Sequence, residues 1–193
     1  NQNVTFVASS GTLGGANPVP KTDATGTIAT VSLTPGADAS ARIIVVTATS
    51  GSASKSVSIP VTGTTLTISG SGSAIAGSAP IAYTVKALDS AGKPIVGVSL
   101  ALTSALGNSV SPQTNTTDVS GVATFNVTPS VVGTDTLTVA GQGTSATTTL
   151  AVSNEDFRFT APTSSTNLVV NTPSTVSVQY KVGGVGVAGR TVT

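Results

Sequence analysis

The sequence predicts an all-β protein: tandem Greek-key β-sandwiches, with about seven strands per unit. Three observations predict it. Ser and Thr are abundant, and the apolar residues are mostly Val, Ala, Leu and Ile, the palette of β-sheet surfaces and turns. Helix formers are scarce, with Glu present once and Lys five times. Apolar residues alternate with polar ones, and the chain repeats itself with a period of about 92–96 residues, the size of one β-sandwich domain.

In chain order, the first stretch runs through "VTFVASSG" (4–11), "TDATGTIATVSLTP" (22–35) and "VTATSGSASKSVSIPV" (46–61). Each has a counterpart further on: "LALTSALG" (100–107), "TDVSGVATFNVTP" (117–129) and "TVAGQGTSATTTLAV" (138–152). In the middle stretch, strands are expected near 65–69, 80–88, 97–104, 109–114, 121–128, 134–141 and 146–153. Ile81, Tyr83, Val85 and Ala87 alternate with Ala82, Thr84 and Lys86, and Phe125 and Val127 with Thr124, Asn126 and Thr128. Period-two alternation sends one set into a core and the other into water. Tyr83 and Phe125 are the largest expected core members, and the few aromatics are expected mostly on buried faces. The last stretch restarts the pattern: "DFRFTA" (156–161) follows "TLTISG" (65–70), and "PSTVSVQY" (173–180) follows "PIAYTVKA" (80–87).

The expected organisation is therefore 1–63, the C-terminal part of one domain; 64–153, a complete domain; and 154–193, the N-terminal part of a further domain. Short linkers at Gly63-Thr64 and Ser153-Asn154 are expected to permit bending with little free swing. Each partial piece presents half a core and unpaired strand edges. Two readings stay open. The chain is a window of a longer array, or the front piece of one copy completes the back piece of another, building an open head-to-tail fibre. The expected partners are neighbouring repeats of the same or an identical chain.

The string "VKALDSAGKPIVGVSLALTSALGNSVSPQTNTTDVSGVATFNVTPSVVGTDTLTVAG" resembles the bacterial immunoglobulin-like (Ig-like) repeat of invasin- and intimin-type surface adhesins. The resemblance rests on Asp89 to Pro94, Val96 to Val98, Thr117 to Ala123 and Gly133 to Ala140. It implies a secreted or surface-anchored, extracellular bacterial protein: a stalk or filament building block in cell adhesion. The alternative is an Ig-like module that itself recognises a receptor on a host or neighbouring cell. A spacer would carry near-identical surfaces in every repeat, and a binding unit a deviant one.

Composition narrows the function classes. The net charge is +1, and the eight basic residues form no run, so nothing here favours nucleic acid or anionic membrane. The longest apolar run, Ile43-Ile44-Val45-Val46, falls far short of the ~20 residues of a membrane helix, so no direct membrane insertion is expected from this segment. Without Cys or His, the usual catalytic bases and nucleophiles are missing, and the expectation is no enzyme and no bound cofactor. Asp23 with Gly26, Asp89 with Gly92 and Asp118 with Gly121 are read as turns, the Asp side chain capping backbone amides and the Gly taking positive φ. Glu155 and Asp156, at the junction of the second and third units, are the calcium candidates, with Arg158 as an alternative partner.

Gly184-Val185-Gly186-Val187-Ala188-Gly189 spells the G-x-G-x-x-G of a dinucleotide site. That site needs a helix after the last Gly to hold the pyrophosphate. The repeat instead places a strand at Arg190–Thr193 and Pro94 opposite Gly186, so the stretch reads as a strand connection one residue shorter than its counterpart.

Overall fold

The computed structural model describes residues 2–15, 20–28, 30–163 and 167–191. Among them every regular element is a strand, and no helix is long and apolar enough to cross a membrane. The N-terminal stretch holds β1 (Thr5–Ala8), β2 (Thr12–Gly14), β3 (Ser32–Thr34), β4 (Arg42–Ser50) and β5 (Ala53–Val61). They form an antiparallel sheet β1-β4-β5 and a separate β2-β3 pair.

Residues 64–153 carry β6 (Thr64–Ser69), β7 (Ser73–Ile75), β8 (Ile81–Asp89), β9 (Ser99–Ser104), β10 (Ser109–Ser111), β11 (Thr114–Thr116), β12 (Val122–Thr128), β13 (Gly133–Gly141) and β14 (Thr144–Ser153). One sheet has the order β10-β12-β8-β6 and the other β11-β9-β13-β14-β7. The alternation places Leu66, Tyr83, Val85, Phe125 and Val127 of the first sheet against Leu100, Leu102, Leu137, Val139, Leu150 and Val152 of the second. Each such side chain contributes about 1.5–3 kcal/mol by leaving water. Tyr83 and Phe125 are fully buried and fill the centre, and the Tyr83 hydroxyl donates to the Ser71 carbonyl.

Here nine short strands stand where seven were expected. The run 109–114 is two strands in different sheets, β10 on β12 and β11 on β9. Pro112, between them, has no N–H to continue a ladder. The unexpected β7 pairs in parallel with the end of β14, Ala151 opposite Ser73. The glycine- and serine-rich stretch before it lets the chain cross between sheets at Gly70, which packs directly on the Tyr83 ring.

The C-terminal stretch forms β15 (Glu155–Ala161), β16 (Ser177–Val182) and β17 (Val185–Gly186) in one sheet. Its register copies that of β6 and β8. Leu66 faces Ala87 and Ile68 faces Val85, while Phe157 faces Tyr180 and Phe159 faces Val178. The expectation that most aromatics are buried fails here: Phe157 and Phe159 are exposed. Among the described residues, no second sheet pairs a face with β15 as one does with β6. Among the described residues, no strand of this sheet pairs with β1–β5.

Candidate functional site

The candidate sites are the turns that fix the strands and the joints that fix one unit on the next. The three Asp-x-x-Gly turns share one geometry. Asp118 Oδ1 accepts from the amides of Ser120 (2.8 Å) and Val122 (2.9 Å). Asp89 Oδ1 accepts from Ala91 and Lys93, and Asp23 Oδ1 from Thr25 and Thr27. In each, the glycine amide returns to the Asp carbonyl, and Gly26, Gly92 and Gly121 take φ of +82°, +76° and +73°. Thr25's hydroxyl and neighbouring amides hold the Asp23 carboxyl below its ordinary value.

Gly121 is the most constrained of the three. A Cβ there would lie 2.6 Å from the Ala87 carbonyl oxygen, and positive φ costs a non-glycine residue about 1–2 kcal/mol. Gly121→Ala is expected to lower the melting temperature of residues 64–153 by roughly 5–10 °C, with ~4–8 °C per kcal/mol in a domain of this size. Thermal denaturation by circular dichroism checks it. Gly92→Ala, where a Cβ would meet nothing within 4 Å, should cost less.

Glu155 and Asp156 start β15. Asp156 Oδ2 lies 3.4 Å from Arg158 Nη1. Among the described residues, no group of three or more acidic side chains gathers. In the glycine-rich stretch, Gly183 and Gly184 take φ of +59° and +81° between the paired residues Val182 and Val185. Two positive φ values in a two-residue loop are the signature of a primed hairpin turn. The connection is thus a tight hairpin, with Lys181 opposite Gly186. Arg190 and Thr191 carry no strand pairing, and Val192 and Thr193 lie outside the described residues.

Two features escaped the sequence reading. The first is a buried polar hub. Asp135, fully buried on β13, accepts from Ser104 Oγ (2.6 Å), Asn108 Nδ2 (2.7 Å) and the Leu106 amide (3.0 Å). Asn108 Oδ1 in turn accepts from the amides of Ser130 and Val131. The hub therefore ties the loop after β9 to the loop before β13. In the first unit the same register position, opposite Ile59 as Asp135 is opposite Leu150, holds Ile44.

The second is the joint at Gly63. Only Thr62 and Gly63 separate β5 from β6. The Ala41 amide donates to the Gln142 carbonyl (2.8 Å), and Thr64 Oγ1 donates to the Ala39 carbonyl (2.6 Å). A Cβ on Gly63 would collide with the Ala39 carbonyl, and one on Gly143 with that of Ala41. The receiving loop is stiffened by Arg42, whose guanidinium donates to the carbonyls of Pro35 (2.6 Å), Asp38 (2.8 Å) and Ser40 (3.0 Å). Arg42 also pairs with the Asp38 carboxylate at 3.3 Å.

The joint at Asn154 differs. The loop from Pro129 to Gly133 is three residues shorter than its counterpart from Pro35 to Arg42, and glycine replaces the arginine. Among the described residues, no hydrogen bond runs from residues 64–152 to 155–191. The equal treatment of the two linkers in the sequence reading missed this contrast, which the three-residue difference in loop length signals.

Residues 63–153 match the family described as bacterial Ig-like domain (group 1). Among solved structures, the D0–D1 domains of intimin align at 24% identity with a TM-score of 0.41, covering 78% of each chain. The Yersinia pseudotuberculosis adhesin InvE aligns at 19% identity and TM-score 0.42, over 79% of this chain and 49% of that one. Invasin, described as a bacterial integrin-binding protein, aligns at 21% identity and TM-score 0.42, over 98% of this chain and 41% of that one. No curated protein sequence matches.

Proposed function

Residues 63–153 are a bacterial Ig-like domain of group 1, and from that premise we propose that the chain is a structural, non-catalytic segment of an adhesin-type protein outside the bacterial cell. It spaces or carries a binding tip as a stalk of tandem Ig-like units, with boundaries near 63 and 153. The observation that carries this reading is the Gly63 joint. Two glycines admit close backbone approach, and two hydrogen bonds cross between the units. An arginine clamp holds the loop that receives them. Such a joint transmits orientation, which a stalk needs and an independent soluble domain does not.

Residual dipolar couplings test it. The amides of 42–61 and 64–153, measured in dilute solution, are expected to fit one alignment tensor. Two independent tensors would show that the units reorient freely and would end the stalk reading.

A binding role for the first unit is the second reading, and one observation favours it. Val7, Ile43 and Val45 are 62%, 63% and 37% exposed on the outer face of the β1-β4-β5 sheet, beside Pro60. The corresponding positions of the second unit are Thr103, Thr134 and Thr136. Alternation puts these residues on the solvent side of the sheet, so a deviant apolar strip marks one repeat and not the other.

A further inference from the structure

We propose that β7 is a mechanical latch: its parallel ladder with β14 ties the opening segment of residues 64–153 to the closing one, and holds this unit shut when the chain is pulled from both sides. Such a pull is what a stalk carries, so the proposal rests on that reading. The chain enters the unit at Thr64, whose hydroxyl donates to the Ala39 carbonyl. The β13–β14 tip lies at the same end, with Gly143 against Ala41. From that tip β14 runs the length of the unit to Ser153. Thr64 and Ser153 therefore stand at opposite ends. β7 lies along the last residues of β14, with Ser73, Ala74 and Ile75 opposite Ala151, Val152 and Ser153.

Orientation decides how this ladder meets a pull. Force along the chain draws β6 and β7 toward the Gly63 joint and β14 toward Asn154. In a parallel pair those pulls run along the strands in opposite directions, while the hydrogen bonds lie across them. The bonds are then loaded together, and none can open first and alone. Two of them bracket the ladder: the Ala151 amide donates to the Gly72 carbonyl (2.9 Å), and the Ala76 amide to the Ser153 carbonyl (2.8 Å). The latch is also anchored behind. The Tyr83 hydroxyl holds Ser71 from the core, Ala74 and Ala76 pack on that core, and the Gly77 amide donates to the Pro129 carbonyl (2.8 Å). The chain cannot be drawn out past β6 from one side, or past Ser153 from the other, without breaking the ladder.

Ala76→Pro isolates the latch. The Ser78 amide donates to the Ile75 carbonyl (3.0 Å) and Gly77 takes φ of +77°, a type II turn with Ala76 at the position proline favours. The substitution keeps the turn and removes the amide that bonds Ser153. The test is single-molecule force spectroscopy on the full 193-residue chain held by its two termini. Unfolding of residues 64–153 is recognised by the release of about 300 Å of chain, and its rate under load is the quantity read. Ala76→Pro is expected to raise that rate about fivefold, the worth of one hydrogen bond. Its urea midpoint should stay near the native one, because proline also restricts the unfolded chain. Asn115→Ala is the control: it removes the bond from Asn115 Nδ2 to the Thr124 carbonyl, between β11 and β12, and should lower the urea midpoint without raising the rate under load. A native rate in Ala76→Pro overturns the proposal, as does equal acceleration in Asn115→Ala. Either result beside couplings that fit one alignment tensor would remove the latch and leave the stalk reading standing. Two tensors beside an accelerated Ala76→Pro would end the stalk reading and leave the latch.

Discussion

Asp135→Ala is expected to unfold residues 64–153 under conditions where the native chain is folded. The substitution removes one acceptor group and orphans three donors, the buried Asn108 Nδ2 and the part-buried Ser104 Oγ and Leu106 amide. Each stranded polar group costs about 1–3 kcal/mol. The sum for three groups, roughly 3–9 kcal/mol, is a large part of the ~5–15 kcal/mol that holds a domain together. Urea unfolding followed by far-UV circular dichroism measures it. A midpoint within error of the native chain would show that water or neighbouring groups replace the carboxylate. The first unit suggests the compensating change. It has Ile44, Ala8 and Thr12 at the positions of Asp135, Ser104 and Asn108. The triple substitution should recover part of the loss, since removing the acceptor together with the Ser104 and Asn108 side-chain donors leaves fewer groups stranded than removing the acceptor alone.

Asp135 also shapes the acid limb of stability. Burial pushes its carboxyl up, and the hydrogen bonds from Ser104, Asn108 and the Leu106 and Ala105 amides outweigh that and leave it below the ordinary value of 3.8. A depressed folded-state value means the stabilisation is complete above the ordinary carboxylate range. It is lost as pH falls through 3.8 toward the folded value. Asp135→Ala should flatten that limb. Asp23 and Asp38, also held low, should keep part of the slope.

Gly143→Val is expected to uncouple the first two units while leaving the second folded. At φ +70° a valine is strained, and its Cβ would occupy the place of the Ala41 carbonyl oxygen. The adjacent Ala41–Gln142 hydrogen bond then breaks. The β13–β14 hairpin tip bears the strain of about 1–2 kcal/mol, so the domain should melt only several degrees lower. The joint should open, and the dipolar couplings of 42–61 and 64–153 should need two tensors. Gly77→Val is the control, with φ +77° and nothing within 4 Å of its Cβ position; it carries the strain without touching the joint. Gly143→Val couplings that still fit one tensor would show that Gln142 and Gly143 are not what orients the units.

The all-β class, the repeat and most strand positions were legible because they are written in local signals. Alternation at Tyr83, Val85 and Ala87, or at Leu137 and Val139, is a property of consecutive residues, and a buried face on a pleated strand enforces it. The Asp-x-x-Gly turns were legible for the same reason, since Asp118 and its two amide donors lie within four residues. Comparison between repeats reached further. It put Gly186 opposite Pro94, and the structure pairs Lys181 with Gly186 as it bridges Leu88 with Pro94.

What only the tertiary structure decided lies between residues far apart in the chain. Asp135 looked like one more acid at a strand end; its partners Ser104 and Asn108 are 31 and 27 residues away, and nothing local marks a carboxylate that long-range packing will bury. The exposure of Phe157 and Phe159 likewise depends on whether a second sheet covers them, which strand alternation does not say. The joint at Gly63 arises where Ala39 and Ala41 meet Thr64 and Gln142, with the Ala41 amide and the Gln142 carbonyl that accepts from it about a hundred residues apart. Alternation and turn chemistry by themselves determined that this protein is all-β, with an Ig-like β-sandwich over residues 63–153. Which carboxylate is buried and which joint is held were settled only once distant groups came within hydrogen-bonding reach.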